Sequence, residues 1–236
     1  MKKLLTILFF LCSLSSGATP VYKYNKLFKT GQYIQIFGSD VFKPLWATTY
    51  YIDPTGNDGT GTGAIGAPWA TLFKACSVVT TSGDIIHVNA GTYLETTQSV
   101  LAVGVSIEGV GVTSIIKANF AANPLIDATS GSEGTNGNQH ISSLKFDGNA
   151  KTGLEMIRIY ARSNFTIHDC TILDWGNAGV FFGGRTDDLD LPPTTYATGN
   201  SFYNNTVTNS SIYSGYGHGA LNIGGQTAFL CYNNTM

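Results

Sequence analysis

His168, Tyr203 and Tyr232 stand at the same place in three copies of one short pattern. The copies are Ile167-His168-Asp169-Cys170-Thr171-Ile172, Phe202-Tyr203-Asn204-Asn205-Thr206-Val207 and Cys231-Tyr232-Asn233-Asn234-Thr235-Met236. If the copies stack, the three rings form one outward column. A row of rings can lie against sugar faces while its polar tips hydrogen-bond hydroxyls. The same rings can equally be ordinary strand aromatics covered by loops. A second candidate is the acidic stretch Arg185-Thr186-Asp187-Asp188-Leu189-Asp190. Asp187, Asp188 and Asp190 offer oxygen ligands of the kind calcium takes, or they form a solvated loop whose return is stiffened by Pro192-Pro193.

These residues can act together only if the chain coils back on itself with like positions stacked on like, as repeat architectures do. Ile141-Ser142-Ser143-Leu144-Lys145-Phe146 reads as a fourth copy. Strand alternation then points Ile141, Ile167, Phe202 and Cys231 inward, with Leu144, Cys170, Asn205 and Asn234 leaning inward next. Ser142, His168, Tyr203 and Tyr232 make one outward column, and Lys145, Thr171, Thr206 and Thr235 the other. Ser143, Asp169, Asn204 and Asn233 are the turn positions, expected to form a ladder of stacked polar side chains.

Composition agrees with many short strands. Only 12% of the 236 residues are charged, 28 are Gly, and Thr and Asn are frequent. The net charge of −2 gives no basic footprint for nucleic acid. No Gly-rich loop with a following Lys cradles a phosphate, and no Cys/His spacing suits zinc. Residues 1–18 read as an export signal, with basic Lys2 and Lys3, an apolar run Leu4–Leu14 too short to span a bilayer, and small residues to follow. Leu11 ahead of Cys12 is too large for the usual lipidation site. Residues 19–48 are a separate N-terminal extension. Export permits disulfides, but Cys76, Cys170 and Cys231 are odd in number, and stacked coils put Cys170 and Cys231 about 10 Å apart. All three are expected to be buried, apolar and unreactive.

At Thr49 the pattern changes. Tyr50-Tyr51-Ile52-Asp53 reads as a strand, Pro54–Gly61 as a turn-rich loop, and Pro68 as the opening of a helix with apolar residues at 69, 72, 73, 76 and 79. The strand Ile85–Val88 follows Ser82-Gly83-Asp84. Together, Tyr51-Ile52-Asp53-Pro54-x-Gly56-Asn57-Asp58, Ala67-Pro68-Trp69-x-Thr71-Leu72-x-Lys74-Ala75 and Gly83-Asp84-Ile85-Ile86-x-Val88-x-x-Gly91-Thr92-Tyr93 resemble the opening of secreted right-handed parallel β-helix proteins of the pectate-lyase-like superfamily. The resemblance is close over residues 50–93. It implies an all-β solenoid with an N-terminal capping α-helix over 49–236; the spacing of the short strands leaves room for about six coils over residues 84–236. The last copy stops at Met236, so the domain is expected to be incomplete at that end.

The resemblance also implies a secreted or cell-surface protein whose partner is a polysaccharide, monomeric when full length. Lyases of this fold remove a proton beside a uronate carboxylate with Lys or Arg, often with calcium neutralising that carboxylate. Lys145 and Arg158 match by residue type, and either can equally be a solvated surface charge. Phe181 and Asn222, level with Arg158, join His168, Tyr203 and Tyr232 as expected substrate contacts. Asp187, Asp188 and Asp190 are the expected calcium ligands. Two alternatives stay open: a non-catalytic glycan-binding or adhesion protein, and a glycoside hydrolase. The hydrolase needs two carboxyls about 5–10 Å apart, for which Asp147, Asp169 and Asp174 are available, but no Asp-Asp pair with a following Gly-His is present. His218 reads as turn punctuation.

Overall fold

The computed structural model describes residues 47–121, 124–186, 191–208 and 219–236. The export signal, the N-terminal extension up to residue 46, the three aspartates at 187, 188 and 190, and His218 lie outside the described residues. Residues 47–236 form one compact unit.

The chain folds as a right-handed parallel β-helix with three long sheets. The first sheet stacks β1 (Thr49–Ile52), β2 (Ile85–Val88), β5 (Ser106–Gly109), β8 (Thr135–Ser142), β11 (Arg162–His168), β15 (Ser201–Tyr203) and β19 (Leu230–Tyr232) in that order. The second stacks β3 (Gly91–Glu95), β6 (Ser114–Ala118), β9 (Lys145–Lys151), β12 (Thr171–Trp175) and β16 (Thr206–Thr208). The third stacks β4 (Ser99–Val100), β7 (Pro124–Asp127), β10 (Glu155–Tyr160), β13 (Ala178–Gly183) and β17 (Leu221–Gly224). A small side sheet pairs β14 (Ala197–Thr198) with β18 (Gln226–Thr227).

Every ladder between these strands is parallel. In the first sheet, Tyr50, Ile86, Ile107, Ile141, Ile167, Phe202 and Cys231 follow one another in register. In the second, Tyr93, Ile116, Phe146, Ile172 and Val207 do the same. From Ile86 to Phe202 and from Tyr93 to Val207 these side chains meet in one continuous core, with Tyr50 packed against it. Fully burying each Ile or Phe contributes about 1.5–3 kcal/mol. The inward column expected from alternation is therefore observed, except at its end. Cys231 is exposed, whereas Cys76 and Cys170 are buried. The reason is position: β19 is the last strand of its sheet and has a partner on one side only. Burial raises the thiols of Cys76 and Cys170, the latter to about 12, so both are held as thiols.

The corner after the first sheet repeats a single solution. Ser143, Asp169, Asn204 and Asn233 all take the left-handed conformation, with φ of 57°, 55°, 56° and 54°. Asn and Asp tolerate that region better than other residues with a β-carbon. The polar ladder expected there is present only between Asn204 and Asp169, at 3.2 Å. The stronger ladder sits one residue later and points inward. Asn205 accepts from the Cys170 amide at 3.0 Å and donates to the Ile167 carbonyl at 3.1 Å. Asn234 repeats this, accepting from the Asn205 amide at 2.9 Å and donating to the Phe202 carbonyl at 2.9 Å. Buried backbone groups at a corner need such partners, and an amide supplies a donor and an acceptor together.

Two further buried polar groups hold the coils. Arg162, 1% exposed, donates to the hydroxyl of Ser130 and to the carbonyls of Leu101 and Thr129, at 2.9, 3.0 and 3.1 Å. Burial lowers its pKa to about 10 against the pull of Asp127, so it stays charged at neutral pH. The register shift between Ser163 and Phe165 frees the Phe165 amide, and Asn200 accepts from it at 2.8 Å.

The helix α1 (Leu72–Val78) caps the first coil. It begins later than Pro68 suggests. Thr71 is its N-cap, accepting from the Lys74 amide, while Trp69 still bridges to Ile52 in the manner of a strand. The start is fixed by carboxylates from elsewhere. Asp58 accepts from the amides of Ala70 and Thr71, and buried Glu95 accepts from those of Leu72 and Phe73 at 2.8 and 3.1 Å. Burial raises the Glu95 carboxyl above its ordinary value despite these two donors. A carboxyl raised on folding adds stability that is complete below its ordinary value of 4.5 and lost as pH rises through the raised value. Urea unfolding of the wild type should therefore show a loss of stability above that pH that Glu95→Gln lacks. Glu95→Ala, which leaves both amides unpaired, should cost about 1–3 kcal/mol for each.

Candidate functional site

The outward face of the first sheet gathers more polar and aromatic side chains than any single strand reveals. Successive residues of a strand face opposite ways, and parallel strands in register set like positions about 4.8 Å apart. One outward column is Tyr51, His87, Glu108, Ser142, His168, Tyr203 and Tyr232. The neighbouring column includes His140, Thr166, Ser201 and Leu230. The His140 amide donates to the Ser106 hydroxyl at 3.1 Å, which joins this column to β5.

The rings of His168 and Tyr203 lie 5.0 Å apart and within 6° of parallel. Those of Tyr203 and Tyr232 lie 4.8 Å apart and within 4°. The column expected from the repeats thus forms, but its geometry changes what it offers. Stacked along the coil axis, these rings occupy one another's faces. Tyr203 has no face left for a sugar, and the ladder presents ring edges and phenol hydroxyls to solvent. Burial raises the Tyr203 phenol, with Tyr232 and Asp169 adding to the effect.

At the other end of the ladder two imidazoles are each held by a carboxylate. His168 Nδ1 lies 2.6 Å from Asp169 Oδ2, and His140 Nε2 lies 2.7 Å from Glu108 Oε1. The two imidazole rings are 5.8 Å apart and inclined by 37°. Asp169 also accepts from Asn204 Nδ2. Its carboxyl is held below the ordinary carboxylate value, chiefly by the His168 hydrogen bond. Among the described residues these two columns carry no Lys or Arg.

The other expected site residues lie on different sheets. Lys145 projects from the second sheet, level with Ile115, Thr171 and Thr206, and forms no ion pair among the described residues. Arg158 projects from the third sheet. It is level with Phe181 and Asp127, and Phe181 is level with Asn222. Arg158 is tied to Glu155 at 2.6 Å and lies 5.3 Å over the Tyr160 ring. Phe181 is only 4% exposed, and Asn222 bonds the backbone of Gly219. The structure thus brings His168, Tyr203 and Tyr232 together, groups Arg158 with Phe181 and Asn222 elsewhere, and leaves Lys145 apart from both. Asp147 pairs with Lys117 at 3.0 Å. Among the described residues no group of three His, Cys, Asp or Glu side chains is placed to hold a metal, and no helix is long and apolar enough to cross a membrane.

Glu108, His140 and His87 were not singled out by the sequence. Alternation alone puts His87 outward in Ile85-Ile86-His87-Val88. Which outward residues become neighbours depends on register between strands some 30 positions apart, and no repeat pattern marks β5.

No family model matches the chain, and no curated protein sequence matches it. Among solved structures, a rhamnogalacturonan lyase superposes with a TM-score of 0.52 at 19% identity, covering 77% of this chain and 45% of its own. A protein of Geobacillus virus E2, ORF18, gives 0.47 at 13% identity, covering 67% and 36%. A pectin methylesterase variant in complex with a hexasaccharide gives 0.41 at 13% identity, covering 73% and 59%. The chain therefore spans about a third to three fifths of the length of these structures. The likeness to the rhamnogalacturonan lyase is one of fold alone, the right-handed parallel β-helix.

A carboxyl lowered on folding adds stability that is present above its ordinary value of 3.8 and lost as pH falls through the lowered one. Asp169 is half exposed, so the contribution is below about 1 kcal/mol. An NMR titration of Asp169 should place its carboxyl below the usual range, and His168→Ala should return it toward that range. An unchanged midpoint in the variant would show that the imidazole is not the cause.

Proposed function

We propose that this chain belongs to an exported, polysaccharide-binding β-helix protein that meets its polymer along the outer face of the first sheet. The observation that carries the reading is the edge-on ladder of His168, Tyr203 and Tyr232, continuous with His140 and Glu108. It offers hydroxyl and imidazole groups at a regular spacing along one axis, suited to the hydroxyls of an extended glycan. Export rests on the character of residues 1–18. The printed name of the rhamnogalacturonan lyase that shares the fold agrees with a polysaccharide ligand. The charge of the face narrows the class. With Glu108 and Asp169 on it and no Lys or Arg in either column among the described residues, it suits a neutral polymer better than a polyuronate.

A second reading, β-elimination on a uronate polymer, is favoured by Lys145. It stands outward with no acidic partner among the described residues, as a base or a carboxylate-binding cation would. Arg158 serves this reading less well, because Glu155 already holds its guanidinium. Calcium on Asp187, Asp188 and Asp190 belongs to the same reading.

Electrophoresis through gels containing arabinan, galactan, mannan or polygalacturonate tests both. Retardation by a neutral polymer is expected. Tyr203→Phe, which removes only the hydroxyl, should weaken it about fivefold, the loss of roughly 1 kcal/mol for one hydrogen bond. Migration unaffected by every polymer would overturn the binding reading. Formation of unsaturated product from polygalacturonate with calcium, lost in Lys145→Ala, would instead establish the lyase.

A further inference from the structure

The two carboxylate-held imidazoles are arranged for more than contact. Asp169 engages Nδ1 of His168, which leaves Nε2 as the nitrogen open to a ligand. Glu108 engages Nε2 of His140, which leaves Nδ1 open. A carboxylate that holds one ring nitrogen fixes the tautomer and the ring orientation, so the other nitrogen is a defined proton donor or acceptor. Neither ring is free to turn. His168 is pinned between the parallel face of Tyr203 and the inclined ring of His140. Asp169 is in turn held by Asn204. The assembly lies on the outer face, and the backbone of the corner beneath it is satisfied separately by Asn205.

We infer that His140 and His168 form a two-imidazole acid–base site that hydrolyses a glycosidic bond in a neutral polysaccharide. This rests on the reading that a glycan lies along the tyrosine ladder. His168, with Nδ1–H given to Asp169, is the base. Its Nε2 takes a proton from water as the water oxygen bonds to the anomeric carbon. The bond from that carbon to the leaving sugar oxygen breaks, and the leaving oxygen takes the proton carried by Nδ1 of His140. Water then supplies both halves of the products, and the two imidazoles exchange their proton before the next turnover. His140 and His168 are the catalytic residues. Asp169 and Glu108 are positioning residues. Among the described residues the groups facing the pair are Glu108 from β5, Asp169 from the corner and Tyr203 from β15, two carboxylates with no Lys or Arg in either column.

The test measures new reducing ends from arabinan, galactan and mannan beside binding of the same polymers in gels, with thermal melts as the fold control. The expected result is release of reducing ends with a bell-shaped pH profile. His168→Ala and His140→Ala should each lower kcat by about 100-fold or more while weakening gel retardation by no more than about tenfold, so that loss of turnover outruns loss of binding. Asp169→Asn should lower kcat with KM little changed and alter the limb of the profile set by His168. A merely structural Asp169 would change the melt and leave the profile alone. Binding without reducing ends from the wild type, or undiminished release by both His variants, would overturn the inference and leave the binding reading standing. No binding and no release on any polymer would overturn both.

Discussion

The structure depends on one constraint: each strand must lie parallel and in register on its counterpart in the previous coil. Register is what lines up Ile107, Ile141, Ile167 and Phe202 as core and, on the opposite face, Glu108, Ser142, His168 and Tyr203 as surface. A slip by one residue would exchange the two sets. The fold resists such a slip through the inward asparagines. Asn205 and Asn234 bond specific backbone groups of the adjacent coil, and those bonds exist in one register only.

The same constraint explains why buried polar groups are frequent here. A solenoid turns its backbone inward at every corner, so amides and carbonyls arrive in the interior without ladder partners. Arg162, Gln139, Asn200 and Asn205 each meet several of them. Arg162 is the extreme case, a charge surrounded by carbonyl and hydroxyl oxygens in place of a carboxylate. Removing any of these side chains leaves its partners buried and unpaired, which costs more than the bond itself supplies.

Much of this was legible in the sequence. The repeats around Ile141, Ile167, Phe202 and Cys231 marked inward and outward positions because alternation is local and has a period of two. The capping helix was legible from its apolar spacing. Its start was not, since Glu95 and Asp58 reach it from distant positions. The ring column was legible as a column, but the parallel stacking of its members was not. Ring orientation is set by neighbours at the spacing of the sheet, which the order of residues does not encode. His140 and Glu108 became partners through non-local register alone. Cys231 shows the converse limit. Its type and place in the repeat say core, and its exposure follows from having a strand on one side only.

The corner formed by Ser143-Leu144, Asp169-Cys170, Asn204-Asn205 and Asn233-Asn234 repeats one backbone shape. The connections elsewhere in the coils differ in length from one copy to the next. A gene encoding such a chain can duplicate or delete a whole coil and reuse this corner unchanged, because the bend closes on its own neighbours. Variation in length is thereby confined to the remaining connections, and the face carrying Tyr203 and Tyr232 is extended one rung at a time without disturbing the rungs already present.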